Sequence, residues 1–299
     1  MTPDVVIVGG GPAGLAAAIY LVRFRRRVTV FDAGGARAGL IAKSHNCPGF
    51  PDGISGPALM QRLRKQACRY GADIITGCVE RVERAGDAFQ VATTMGSMRC
   101  PRIVLATGVV DIAPDIPMLY QGISTGRVRL CPVCDGYEVI GQKVAVVGPE
   151  AKALQEAIFL RDYTPSICIL CNRPADVSTE GRSQAAAAGI EIWDTVDDLV
   201  ADRSGFTAIF GNGESRHLDV IYPAMGSNVR SELAWALGAQ RDDEGYVVVD
   251  RHQRTTIDGV YAIGDVVKAL NQIAVGFGHA ALAAADIHNG LRRASDGRE

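Results

Sequence analysis

The 299-residue sequence predicts an α/β fold of two similar halves, and three observations carry the prediction. Residues 4–32 read as an apolar strand, a glycine turn, an alanine-rich helix and a second strand. The same order returns over 143–170, so the chain repeats one supersecondary unit and each half is expected to be a Rossmann-like, three-layer β/β/α domain. Composition agrees: 47% hydrophobic residues, 34 glycines and 31 Lys+Arg against 33 Asp+Glu describe a globular chain long enough for two cores.

The elements follow in order. Val5, Val6, Ile7 and Val8 form a continuous apolar run, the pattern of a central parallel strand covered on both faces. A helix is expected over 15–24, a strand over 28–31 ending at Asp32, and a loop rich in Gly, Pro, Asn and His over 33–56. Leu59, Met60, Leu63 and Ala67 share one face of a helix over 57–70, and strand signals recur at 73–75, 89–93 and 102–106. In the second unit Val144–Val147 lead into Gly148, a helix over 151–161 and a strand over 166–170. A hairpin over 206–210 and 217–222 turns at Gly211-Asn212-Gly213. Short strands at 246–249 and 260–263, an alanine-rich helix over 272–288 and a frayed tail over 294–299 complete the chain.

Charge and patterning remove several function classes. The net charge is −2 and the only basic run is Arg25, Arg26 and Arg27, so neither nucleic acid nor a membrane surface is an expected partner. No apolar stretch is long enough to span a bilayer, and the first residues lack a secretion signal, which predicts a cytoplasmic protein whose eight cysteines are mostly reduced. No metal site is expected.

Gly9-Gly10-Gly11-Pro12-Ala13-Gly14 fits G-x-G-x-x-G between a buried strand and a helix. Gly9 permits the tight turn, Gly11 lets the backbone approach a pyrophosphate and Gly14 permits close helix packing, while the helix N-terminus offers free N–H groups. Asp32 ends the second strand, placed to accept a hydrogen bond from a ribose hydroxyl. A bound dinucleotide is the functional reading, a tight structural turn the alternative. The second turn, Gly148-Pro149-Glu150-Ala151-Lys152-Ala153, is damaged. Glu150 stands where a bare backbone is needed, and its carboxylate is expected to occupy the helix N-terminus that an anion would use. Beyond the next strand only Arg173 is present for a 2′-phosphate, so this half is expected to keep the fold and bind a nicotinamide nucleotide poorly.

Cys131-Pro132-Val133-Cys134 is the redox candidate, because two thiols at this spacing can meet across a helical first turn whose dipole lowers a thiol pKa. Asp135 follows, and its carboxyl could move the proton that thiol–disulfide exchange requires. Half of a zinc site is the alternative, but the next pair, Cys168 and Cys171, lies beyond a whole strand and helix; that pair in turn falls on an expected strand, where positions three apart point to opposite faces and the two thiols are not expected to pair. Cys47 is expected to be a packing residue.

Together GGGPAGLAAAIYL, SHNCPGFPDGISGPALMQRL, LATGV, CPVCDGYE, GVYAIGDV and NQIAVGFGHAALAA resemble, over nearly the whole chain, the low-molecular-weight thioredoxin reductase family of FAD-dependent disulfide oxidoreductases. The resemblance implies FAD held by Gly9, Gly11, Pro12, Ala13, Gly14 and Asp32, by Asn46 in the loop under the isoalloxazine, and by Ala106, Thr107 and Gly108. It adds Gly264 and Asp265 at the ribitol phosphate and Gln272 and Ile273 facing the flavin. Cys134 would lie against the flavin, Cys131 would meet the substrate and Asp135 would be the general acid/base. His45 and His279 are candidates for proton transfer, or for hydrogen bonds to nearby backbone or FAD.

The resemblance also implies a discontinuous FAD domain, 1–112 and 241–299, with an inserted domain, 113–240, carrying the disulfide. The expected function is thiol–disulfide exchange between a substrate, the Cys131–Cys134 pair and FAD, with weak or no NAD(P)H use, as in the dithiol-oxidase branch of the family. A conventional NADPH-dependent reductase and a non-turnover flavin redox sensor are the alternatives. Oxygen, NADPH, ferredoxin or another molecule would exchange electrons with the flavin. A thioredoxin-like protein or a small dithiol or disulfide is the expected partner, and a homodimer the expected assembly.

Overall fold

The structure, a computed structural model, describes residues 2–171, 177–193, 196–202 and 204–295. The chain forms two compact units, one made of residues up to Gly39, Gly56–Val110 and those from Asn228 onward, the other of Leu40–Ser55 and Asp111–Ser227.

The first unit is built on five parallel strands, β1 (Val5–Val8), β2 (Val28–Asp32), β3 (Asp73–Thr76), β7 (Arg102–Leu105) and β17 (Val260–Ala262), in the order β17-β7-β1-β2-β3. Every residue of β1 is buried, as its apolar run predicts, and each such side chain contributes about 1.5–3 kcal/mol of transfer free energy. Helix α1 (Pro12–Arg23) packs between α2 (Gly56–Arg69) and α8 (Ile273–Ser295). It starts three residues before the expected position, because Pro12 at N1 has its φ pre-set for a helix and needs no hydrogen-bond partner for a missing N–H. On the other face lies an antiparallel meander, β4 (Val79–Ala85), β5 (Ala88–Thr93) and β6 (Gly96–Cys100). Val6, Val8, Phe31, Phe89, Val91 and Ile103 form the core between the layers.

The second unit repeats this plan. Its parallel sheet has β9 (Val144–Val147), β10 (Ile167–Leu170), β11 (Glu191–Trp193) and β15 (Val220–Pro223) in the order β11-β10-β9-β15. Helices α5 (Glu150–Leu160) and α6 (Thr179–Ala187) follow β9 and β10, and α3 (Leu119–Thr125) and α4 (Pro132–Asp135) precede them. A meander of β12 (Val196–Ala201), β13 (Phe206–Phe210) and β14 (Ser215–Leu218) covers the other face. Strand alternation sorts the core into two clusters. Val144, Val146, Ile167, Ile169 and Tyr222 join the helices, whereas Ala145, Cys168, Leu170 and Ile221 join the meander. The strand expected over 217–222 is two strands divided at Asp219, whose Oδ2 accepts the Lys143 N–H at 2.7 Å and hands the chain from the meander to the parallel sheet.

Two other expectations are corrected. Residues 246–249 form no strand: Asp242 Oδ1 accepts the N–H groups of Glu244 and Tyr246, closing a tight loop, and Val247 and Val248 donate to Val266 and Gln240 instead of to one ladder. The unit boundaries also differ from 113 and 240. Residues 228–240 carry α7 (Glu232–Ala236), whose Ala234 is buried in the first unit's core, and residues 40–55 cluster with the second unit. A two-stranded sheet pairs β8 (Val109–Asp111) with β16 (Ser227–Val229).

Candidate active site

The glycine turn lies at the carboxyl end of β1, where ligands of parallel α/β sheets bind. Gly9 has φ +114°, and a Cβ there would stand 2.2 Å from the Ala106 carbonyl oxygen; one on Gly14 would stand 2.0 Å from the Gly9 oxygen. Both glycines are therefore required by close backbone packing. Gly11 differs, because a Cβ on it would meet nothing within 4 Å. It faces open space at the N-terminus of α1, whose N-cap makes no side-chain hydrogen bond, and this cradle fits a pyrophosphate.

Of the other expected cofactor residues of the first unit, Ala106 and Gly264 lie against this turn. Ala106 packs on Gly9 and Gly14, and a Cβ on Gly264 would approach that of Ala13 to 2.8 Å. Gly108 has φ +67° and accepts the Arg230 N–H, while the Thr107 hydroxyl donates to the Arg230 carbonyl at 2.5 Å. Asp265 pairs with Arg37 at 3.6 Å. Gln272 and Ile273 open α8, where Gly276 N–H donates to the Gln272 carbonyl. His279 Nδ1 accepts the Gly264 N–H at 3.3 Å, and burial lowers its pKa against the pull of Asp265.

Asp32 is buried, accepts the Gly34 N–H at 2.9 Å and is ion-paired with Arg64 of α2. Arg64 fixes the carboxylate that a ribose would meet, and no local spacing in the sequence connects positions 32 and 64. Asn46 belongs to the other unit, in the loop over 40–55, and accepts the Ser44 hydroxyl at 2.9 Å.

In the second unit Cys131 and Cys134 form a disulfide, with Cys131 as N-cap of α4 and Pro132 at N1. Asp135 ends that short helix. The Tyr222 hydroxyl donates to its Oδ1 at 2.8 Å, and Arg129 Nη1 lies 3.1 Å from Oδ2. Burial pushes the Asp135 carboxyl above the usual carboxylate range, against the pull of Arg129 and Tyr222. Sequence reasoning missed both partners. Tyr222 reaches Asp135 because its place in β15 turns it to the helix face of the sheet, while neighbouring Ile221 faces the meander. His45 is hydrogen-bonded to Glu138 at 2.5 Å, in the turn that follows Asp135.

The remaining thiols lack that setting. Cys168 and Cys171 are not joined by a disulfide and are buried on opposite faces of the sheet. Burial raises the pKa of Cys47, Cys100 and Cys168, and a buried thiol of high pKa is inert. No group of three or more His, Cys, Asp or Glu among the described residues is arranged to hold a metal ion.

The second glycine turn carries a further correction. The Glu150 carboxylate does not cap its own helix α5; it accepts the Ser178 N–H and hydroxyl at 3.2 and 2.5 Å, at the N-cap of α6. Room for it comes from Gly181, where a Cβ would stand 1.7 Å from Oε1. Arg173, expected to offer the single cation, lies outside the described residues.

Residues 3–285 match the profile of the pyridine nucleotide-disulphide oxidoreductase family. The chain belongs to that family. A thioredoxin reductase of Streptomyces coelicolor is 33% identical over 278 residues, which cover 88% of this chain and 86% of the relative. The crystal structure of thioredoxin reductase from Streptococcus pyogenes has a TM-score of 0.89 at 27% identity, covering 97% of this chain and 98% of its own. That of HlmI has a TM-score of 0.91 at 30% identity, covering 99% and 96%. This member of the pyridine nucleotide-disulphide oxidoreductase family is thus a thioredoxin reductase-like, FAD-dependent disulfide oxidoreductase. None of the helices formed by its described residues is long and apolar enough to cross a membrane.

Proposed function

We propose that this oxidoreductase exchanges two electrons between a substrate dithiol or disulfide and FAD through Cys131 and Cys134, with weak or no use of NAD(P)H. The observation that carries it is the disulfide beside a carboxyl held by Arg129 and Tyr222. Cys131 is the sulfur that meets the substrate. Attack of a substrate thiolate on Cys131 Sγ breaks the disulfide and leaves the electron pair on Cys134 Sγ. Attack of the second substrate sulfur on the first then releases Cys131 and forms the substrate disulfide; in the opposite direction each bond change is reversed. Asp135 takes or returns the proton of the reacting thiol, a role suited to a carboxyl whose burial favours the protonated form.

FAD, when bound, supplies the two-electron acceptor or donor for the cysteine pair. Gly9, Gly11, Pro12, Ala13 and Gly14 would hold its pyrophosphate and Asp32 a ribose. Ala106, Thr107, Gly108, Gly264, Asp265, Gln272 and Ile273 would complete the site from the neighbouring strand ends and α8. These residues fit because Gly11 leaves the backbone open beside a helix N-terminus.

Weak nicotinamide use is supported by Glu150, a fixed negative charge at the position where a pyrophosphate needs bare backbone. The conventional reading, reduction by NADPH, is favoured by the name of one relative, the NADPH-dependent thioredoxin reductase 3 of Arabidopsis thaliana, which is 32% identical over 283 residues. A thioredoxin-like protein or a small dithiol is the proposed partner, in a cytoplasmic homodimer. Anaerobic flavin spectroscopy with NADPH, NADH or dithiothreitol in separate samples tests these readings. Bleaching by dithiothreitol alone, with peroxide formed on admitting air, supports the oxidase; bleaching by NADPH within the mixing time overturns weak nicotinamide use. Cys134→Ser abolishes dithiol-driven bleaching, and an unchanged rate removes the cysteine pair from the mechanism.

A further inference from the structure

Glu138 stands four residues beyond Cys134, and its two carboxylate oxygens have different surroundings. Oε1 is 2.5 Å from His45 Nδ1, whereas Oε2 is buried with no hydrogen-bond partner among the described residues. Arg129 Nε is also buried without a partner, although Nη1 of the same guanidinium holds Asp135. A buried polar atom left unpaired costs about 1–3 kcal/mol, so two in one redox segment require a reason. The negative charge of Glu138 disfavours the ionised forms of both Asp135 and Tyr222, so the three groups are electrostatically linked.

The cluster leads outward. The Glu138 side chain is 19% exposed and that of His45 41%. The His45 ring is fixed against Gly53, where a Cβ would stand 2.0 Å from its Cδ2, and the loop is closed by backbone bonds between Ser44 and Ile54 at 2.8 and 2.9 Å. A titratable ring therefore bridges the inner carboxylate and water from a defined position.

We propose that Glu138 and His45 are the proton route between Asp135 and solvent, with Glu138 the inner station and His45 the outer one. The proposal rests on the reading of Cys131–Cys134 as the exchanging pair. When a dithiol opens this disulfide, the substrate sulfurs are oxidised and the cysteine sulfurs reduced, giving a substrate disulfide, one cysteine thiol, one cysteine thiolate and one proton. That proton passes from the substrate thiol to Asp135 and then to Glu138 Oε2. The carboxyl, turned so that this proton faces His45, passes it to Nδ1 as His45 Nε2 releases one to water. The ring gains one proton and loses one, so its charge is restored. In disulfide reduction the same stations carry a proton inward.

The test is a single-turnover reduction of the Cys131–Cys134 disulfide in the holoenzyme by dithiothreitol, with free thiols trapped by rapid alkylation and counted by mass. His45→Ala slows it about tenfold or more, and added imidazole restores the rate. Glu138→Gln slows it similarly, and imidazole does not help. His45→Asn, whose amide N–H can keep the bond to Glu138 without carrying a proton, is also slow. A parent-like rate in any of the three variants overturns the relay, and so does slowing of His45→Ala that imidazole leaves unchanged. If dithiothreitol fails to reduce the disulfide of the parent protein, the exchange reading itself fails.

Discussion

The Glu150 carboxylate accepts both the N–H and the hydroxyl of Ser178, so a residue at the first turn of α5 completes the N-cap of α6. Ser178 in turn accepts the Gly181 N–H at 3.0 Å. These bonds lower the carboxyl's pKa and favour its charged form. Glu150→Gly removes a fixed anion and restores bare backbone at the second glycine turn. The variant is expected to show flavin bleaching by NADPH about tenfold faster than the parent at equal nucleotide, equivalent to about 1.4 kcal/mol of recovered binding. Anaerobic stopped-flow measures it, and an unchanged rate shows that Glu150 is not what limits nicotinamide use.

Arg129 and Tyr222 act on Asp135 in the same direction, since both favour its charged form. Tyr222→Phe deletes a hydroxyl and leaves the ring to fill the helix-side core, so the carboxyl becomes still harder to ionise. In a pH profile of the single-turnover thiol exchange, the limb that reports Asp135 moves to higher pH, and Arg129→Met moves it the same way. A limb that stays in place in both variants would separate these residues from the proton-transferring group.

Gly11 and Gly14 differ in what surrounds them, and substitution separates folding from cofactor binding. A side chain at Gly11 enters open space, so Gly11→Leu keeps the helical circular-dichroism signal but is purified without bound flavin. Gly14→Val strikes the Gly9 carbonyl and lowers the melting temperature as well. Flavin absorbance and thermal melts read the two effects; flavin retained in Gly11→Leu would refute the cradle.

Glu156 on α5 is a stability test independent of the chemistry. Burial pushes its carboxyl from 4.5 up to about 7, with Lys152 only partly compensating. A carboxyl whose folded pKa is raised binds its proton more tightly in the folded chain. Its contribution is full below about pH 4.5 and is lost as pH rises through 7. Glu156→Gln is therefore expected to melt about 2–6 °C higher than the parent at pH 8 and at nearly the same temperature at pH 4.5. Melting curves at the two pH values check the sign.

The parts of the fold and site legible in the sequence are those whose physics is local. Gly9, Gly11 and Gly14 announce a turn because a tight strand-to-helix connection admits no side chains there, and Val5 to Val8 announce a central strand by lacking polar alternation. The cysteine pair was readable from its spacing, and so was the separation of Cys168 from Cys171, since strand alternation places positions three apart on opposite faces. Less was legible where polar contacts ended a run: nothing before Asp219 announces the change of sheet, and the loop closed by Asp242 replaced an expected strand.

The sequence by itself determined two glycine-turn units, a cysteine pair at C-x-x-C spacing with a neighbouring carboxyl, and a second turn that carries Glu150 where the first carries Gly11. Tertiary structure alone decided what each charged group touches: Asp32 with Arg64, Asp135 with Arg129 and Tyr222, Glu138 with His45, Glu150 with Ser178. The reason is geometric. Periodicity and turn chemistry act over a few residues, whereas these pairs are made by the register of parallel strands and the packing of helices across them, where a shift of one residue would exchange Tyr222 for Ile221 and leave the Asp135 carboxyl without its hydroxyl partner.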